Sequence, residues 1–345
     1  MVDTIGERKT LMRIITVEEH YTDRRIMDAN DALAGERPPM SPEQQRAMSF
    51  LTSRAFPGPQ LLDFERRLAF MDEQGVDVQV LSLTSTVGEN ASAQEAAEIC
   101  RMANDITRQH MDEYPGRFGG FATLHLMDPV DAAEELRRCV EDLGFCGALL
   151  AGRQRGRFYS EPEFLPLFEA AAELGVPLSF HPAFIPREVQ EAYYMSDSYS
   201  FVVSAELASA GYGWHSEVGI QVARLILSGV FDRFPTLSFI SGHWGETIPA
   251  FLERMDNILD QGITHLEQPF SEYYKEHVYV TPSGIMSHDQ LGYIVKVMGA
   301  DHVIYSLDYP YVEVGDSYSF LMDSDLTAEA KELIAHGNAE RLLHV

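Results

Sequence analysis

Glu18-Glu19-His20 closes an apolar, β-branched run, Ile14-Ile15-Thr16-Val17. In an extended strand, side chains two apart share a face, so Glu18 and His20 are expected to project together and Glu19 to point away. A carboxylate and an imidazole converging at a strand end suit a divalent cation. On its own an E-x-H triplet is a weak signal, since acidic residues and histidines are common at strand ends. Three later stretches carry related chemistry: Ser179-Phe180-His181-Pro182, Ser241-Gly242-His243-Trp244-Gly245-Glu246 and Tyr305-Ser306-Leu307-Asp308-Tyr309-Pro310. Taken singly, His181 is equally at home as a strand-end residue bonded to a carbonyl, and Asp308 as a turn residue. Taken together, they describe one metal-centred site if the fold brings them to one place.

The elements that must position them recur regularly. Short β-like runs fall at 13–18, 78–83, 118–123, 147–150, 177–181, 237–242, 278–281 and 303–307. Amphipathic stretches lie between them at 62–75, 92–114, 129–143, 162–174, 217–231, 248–259 and 289–298, with a last helix expected over 327–343, capped by Asp325 or Thr327. Strand–helix alternation implies parallel strands joined by right-handed crossovers, and eight such units close naturally into a (β/α)8 TIM barrel. A doubly wound open sheet is the alternative. It is disfavoured because no G-x-G-x-x-G follows the first strand; Gly211-Tyr212-Gly213 lacks the third glycine. Barrel enzymes place their chemistry at the C-terminal ends of strands, where the E-x-H pair, the two histidines and Asp308 all fall. Two long loops, 21–59 after strand one with Pro38-Pro39, Pro57 and Pro59, and 182–213 after strand five, are expected to build the rim and set substrate choice.

Composition bounds the function class. The 345 residues, 45% hydrophobic and 23% charged, can bury a sizeable core, and a single domain over 1–345 is expected. A formal charge of −27 disfavours nucleic acid and anionic membranes as partners. An anionic small substrate stays open, because a bound cation and one arginine reverse the local potential. The stretch 1–13 is polar, without a signal-peptide core, and no apolar window reaches about 20 residues, so a cytoplasmic enzyme is expected. Cys100, Cys139 and Cys146 are an odd count without a C-x-x-C pair and read as buried free thiols. Trp214-His215 reads as a packing feature at a helix entry.

With these residues in view, the chain resembles the amidohydrolase superfamily, in particular its branch of γ-resorcylate, 2,3-dihydroxybenzoate and 5-carboxyvanillate decarboxylases. The resemblance runs through Val17-Glu18-Glu19-His20, Arg67-Leu68-Ala69-Phe70-Met71-Asp72, the stretch from Cys139 to Leu149, Phe180-His181-Pro182, the stretch from Ser228 to Pro235, Gly242-His243-Trp244-Gly245-Glu246 and Ser306-Leu307-Asp308-Tyr309-Pro310-Tyr311. Hydrolytic members usually begin with H-x-H, whereas E-x-H is typical of the decarboxylating branch.

The resemblance implies that Glu18, His20, His181 and Asp308 bind one divalent ion, Mn²⁺ or Zn²⁺, which the ligand types alone do not separate. It implies a His243–Glu246 acid–base pair, with Glu246 at a helix start, where a carboxylate is stabilised. It also implies that Asp308 takes part in proton delivery. Arg254 and Tyr311 match positions that contact substrate from a neighbouring subunit, so a homodimer or homotetramer is implied. The activity implied is decarboxylation of a small aromatic carboxylate bearing an ortho hydroxyl, with hydrolysis of an aryl ester, lactone or amide as the competing reading and a non-catalytic ligand-binding barrel behind it. The chain departs from relatives at Thr281-Pro282-Ser283-Gly284, where proline stands in place of a frequent threonine, and in its two long loops.

Overall fold

The computed structural model describes residues 12–33, 58–83 and 91–345, together with Pro42 and Gln45. The polar stretch up to residue 11 and most of the loop 21–59, including Pro38-Pro39 and Pro57, lie outside the described residues. Parallel strands run β1 (Ile15–Tyr21), β2 (Val78–Leu83), β3 (Phe118–Gly120 and Ala122–Thr123), β4 (Ala148–Ala151), β5 (Leu178–His181), β6 (Phe239–Ser241) and β7 (Val278–Val280). β1, β2 and the first half of β3 form one ladder; the second half of β3 and β4 to β7 form another. The third strand is thus broken at Phe121, whose amide donates to Leu81, while the amide of Ala122 turns to Gly147. The eighth expected strand appears as parallel bridges, Val280 with Val303 and Val17 with Ser306, which join β7 back to β1 and close the ring.

Local sequence explains the helices around it. Gly75, in the left-handed region, ends Phe64–Gln74, whose N-terminus is capped by Asp63. Ser92 and Glu95 form a reciprocal capping box on Ala93–Glu113. Thr327, not Asp325, caps the last helical region, which is not one helix: Ala328–Glu332 passes through a π-turn, Leu333–Gly337, into Asn338–Leu343. The loop 182–213 contains Arg187–Tyr193 and Phe201–Ala208, and the helix after it, Gly213–Leu227, begins four residues earlier than its apolar pattern suggests.

Two apolar compartments hold the barrel. Ile15, Val17, Val80, Phe121, Cys146, Ile240 and Ile304 fill its interior, with Ala339 and Leu343 of the last helix against them. A larger layer, including Ile14, Tyr21, Met71, Leu81, Phe164 and Phe239, joins strands to helices. All three cysteines are buried and free. Among the described residues no helix is long and apolar enough to cross a membrane.

Candidate active site

A register shift in β1 sets up the site. Ile15 pairs with Val78 and Thr16 with Gln79, but Glu19 pairs with Leu81 and His20 with Ser82, so one residue is inserted between Thr16 and Glu19. Glu18 carries it, with φ of 59°. Strict alternation from Val17, which faces the interior, would have turned Glu19 inward and His20 outward. The bulge reverses that parity. The expected faces for His20 and Glu19 are therefore observed, but the extended geometry assumed for Glu18 is not.

His20, His181 and Asp308 come together. Their ligand-type atoms all lie within 4.8 Å of one another. His20 Nδ1 is 2.9 Å from Ser82 Oγ, and its Nε2 lies 3.2 Å from Asp308 Oδ1 yet makes no hydrogen bond. His181 donates from Nδ1 to the Pro182 carbonyl at 2.8 Å, which leaves Nε2 with a free lone pair. Burial, with the nearby imidazoles of His20 and His243, holds His181 well below the ordinary histidine range, so it is neutral. Asp308 is held in the left-handed region at φ of 57°.

Glu18 is outside that three-residue group. Its Oε2 accepts from Thr281 Oγ1 at 2.6 Å and from Ser283 Oγ, while Oε1 is buried without a partner. Gly242 makes this possible: a Cβ there would stand 2.6 Å from Glu18 Oε1. Thr281 and Ser283 went unassigned in the sequence, although two hydroxyls at the end of an expected barrel strand were the available signal. The orphaned Glu18 Oε1 and His20 Nε2, beside a neutral histidine and a carboxylate, fit a divalent cation.

A second cluster stands next to the first. His243 Nδ1 donates to Glu246 Oε1 at 2.8 Å, and His215 Nδ1 approaches Glu246 Oε2 at 2.9 Å. Burial opposes charge on His243, but the Glu246 carboxylate, with Glu18 and Asp308, outweighs it and raises the imidazole to about 9. Glu246 is fully enclosed, yet the two imidazoles hold it below the ordinary glutamate range despite burial. It stands just before Thr247, the N-cap of the short helix Ile248–Phe251, with φ of 53° after the turn Gly242–Gly245, and the two histidines are what stabilise its charge. His215 corrects the packing reading of Trp214-His215. The helix containing it starts earlier than its pattern, and a lone histidine in a first turn gives no signal of the carboxylate it meets.

The remaining expected residues separate. Tyr311 lies with its ring 5.5 Å from that of His20 in the same chain. Arg254 is exposed on the helix Leu252–Ile258. On the outer side of β1, Glu19 accepts from Gln79 Nε2 at 2.9 Å and from the Leu307 amide at 3.0 Å. Arg67, fully buried, donates to Gln79 Oε1 at 2.9 Å and to the His20 carbonyl, and lies over the Tyr309 ring.

The chain is similar to known proteins over most of its length. The amidohydrolase family model matches residues 58–345. The decarboxylase orsB of Emericella nidulans is 34% identical over 81% of this chain and 85% of its own length. The γ-resorcylate decarboxylase of a Polaromonas species is 30% identical over 95% of this chain and 97% of its own. Among solved structures, the 5-carboxyvanillate decarboxylase of Novosphingobium aromaticivorans, complexed with manganese and 4-hydroxy-3-methoxy-5-nitrobenzoic acid, superposes with a TM-score of 0.84 at 31% identity, covering 99% of this chain and 98% of that one.

Proposed function

This chain belongs to the amidohydrolase family, and from that premise we propose that it is a metal-dependent, non-oxidative decarboxylase of an ortho-hydroxybenzoic acid. The observation that carries the reading is the pairing of two clusters: buried ligand atoms without partners on Glu18 and His20, next to a proton-bearing His243 held by Glu246. Relatives named as decarboxylases of aromatic acids, over nearly the whole length of the chain, support it.

His20, His181 and Asp308, with the buried Glu18 Oε1 as a fourth ligand, would hold one divalent ion, manganese by likeness to the solved relative and zinc as the alternative. Such an ion supplies positive charge against the substrate's carboxylate and phenolate oxygens. The protein's own part is to deliver a proton. The ortho hydroxyl makes the carboxylate-bearing ring carbon basic; a C–H bond forms there, the C–C bond to the carboxylate breaks, and its electron pair restores the aromatic ring as CO₂ leaves. Asp308 gives the proton to carbon and is replenished from His243, whose Nδ1 is engaged by Glu246 so that Nε2 is the exchanging atom. Tyr311 borders the ring site beside His20. Arg254, exposed in one chain, contacts substrate in a neighbouring subunit, in a homodimer or homotetramer.

The test is a panel of hydroxybenzoates, including 2,6-dihydroxybenzoate, 2,3-dihydroxybenzoate and 5-carboxyvanillate, offered to manganese- and zinc-loaded protein with CO₂ release followed. Turnover of an ortho-hydroxy acid is expected. Absence of CO₂ from every acid, together with hydrolysis of an aryl ester, would overturn the proposal in favour of metal-assisted hydrolysis.

A further inference from the structure

We propose that His215 is a positioning residue for this reaction, a doubly donating imidazolium that clamps one oxygen of Glu246 so that the other serves His243, and that ties the pair to the loop 182–213. Its Nδ1 lies 2.9 Å from Glu246 Oε2 and its Nε2 lies 3.0 Å from the Ala210 carbonyl. A carboxylate and a backbone carbonyl only accept, so both ring nitrogens must carry hydrogen. A neutral ring would turn a lone pair on one of those oxygens.

The surroundings show why Glu246 needs the clamp. His243, Trp244, Glu246 and Thr247 all have positive φ, and such conformations persist only where contacts enforce them. The backbone side is secured by the Trp244 amide to the Thr281 carbonyl at 2.7 Å and the His243 amide to Ser283 Oγ at 2.9 Å. On the side-chain side, each Glu246 oxygen has one imidazole. The helix Gly213–Leu227 presses on this turn so closely that a Cβ at Gly219 would stand 2.7 Å from the Glu246 carbonyl. Helix, loop and turn are therefore joined by direct contacts around Glu246. The charged or titratable groups facing His215 are Glu246, His243, with ring centroids 4.3 Å apart, and more distantly His181.

The role assigned to His215 deepens the decarboxylase reading, but its first test needs no substrate. In protein labelled with ¹⁵N-histidine and loaded with diamagnetic Zn²⁺, long-range ¹H–¹⁵N correlations at pH 7 are expected to show both His215 nitrogens protonated. The signals are identified by their loss in His215→Asn and, independently, in His215→Gln. A single protonated nitrogen overturns the inference. So does a metal content of two ions per chain that falls to one in His215→Asn, since the cluster would then be a second cation site. In kinetics on a substrate found by the panel, His215→Phe is expected to lower kcat about tenfold or more with KM changed less than about twofold. His215→Asn, whose amide takes the Nδ1 place, should recover most of that loss. His215→Gln, whose amide takes the Nε2 place, should not. Equal losses in all three variants, or losses that track the folded fraction, would reduce His215 to packing. If wild-type protein turns over no acid, the decarboxylase reading fails while the spectra still decide the protonation of His215.

Discussion

Glu18 and Glu19 are adjacent, both buried, and face opposite sides of one strand. On the outer side, Glu19, Gln79 and Arg67 form a network in which both Glu19 oxygens accept hydrogen bonds and the guanidinium reaches a side-chain and a backbone oxygen. On the inner side, Glu18 and His20 each keep one buried atom without a partner. Leaving a buried polar atom unpaired costs about 1–3 kcal/mol, and here a carboxylate oxygen and an imidazole nitrogen, both ligand-type atoms, carry that cost at one strand end. The outer network closes on itself and holds the strand. The inner cluster is open, and is completed by what it binds.

That contrast can be broken most sharply on the inner side. Asp308→Asn is expected to reduce turnover at least about a thousandfold while thermal unfolding shifts by no more than about 2 °C. Near-wild-type turnover would remove Asp308 from the chemistry. The outer network should behave in the reverse way. Arg67→Ala leaves the buried Gln79 Oε1 and the His20 carbonyl without their donor and opens a cavity behind β1, and should cost about 3–5 kcal/mol in denaturant unfolding of metal-free protein. Glu18→Gln, by contrast, should cost under about 1 kcal/mol in the same assay; equal losses would erase the distinction between the two sides.

Smaller effects sharpen the comparison. Ser82→Ala removes the partner of His20 Nδ1 and should weaken metal affinity about 10- to 100-fold in a competition titration, with little change in metal-free stability. An unchanged affinity would mean that Ser82 does not orient the ring. The smallest effect is electrostatic. His243 is raised from 6.5 to about 9 in the fold, so its contribution to stability is full below pH 6.5 and is lost as pH rises to 9. Metal-free protein should therefore melt a few degrees lower at pH 9 than at pH 6.5; Glu19, raised by burial to about 8, adds to the loss in the same direction, and Glu246→Gln should remove the His243 share of that slope. A slope unchanged in Glu246→Gln would show that another group sets it.

Much of the barrel was legible because its signals are local. Alternating strand and helix periods, Gly75 and the Ser92-Glu95 box mark elements through a few neighbouring residues. The break at Phe121 and the reduction of the eighth strand to bridges were not legible, since they depend on which distant carbonyl each amide meets. The same division runs through the site. His20, His181, His243 and Asp308 announce themselves at strand ends; Thr281 and Ser283 offer only hydroxyls at a strand end, and His215 becomes informative only through what it touches.

Residue types and spacing were enough to place a carboxylate–imidazole pair on β1 and its companions at later strand ends, because side-chain chemistry and periodicity are written in the chain itself. Folding alone decided that the pair works from a bulge, with Glu18 in a left-handed conformation held by hydroxyls some 260 residues away. It also decided that Glu246 is clamped by two histidines. Register, parity and long-range hydrogen bonds are set by the closure of the whole ring, and no short window of sequence contains them.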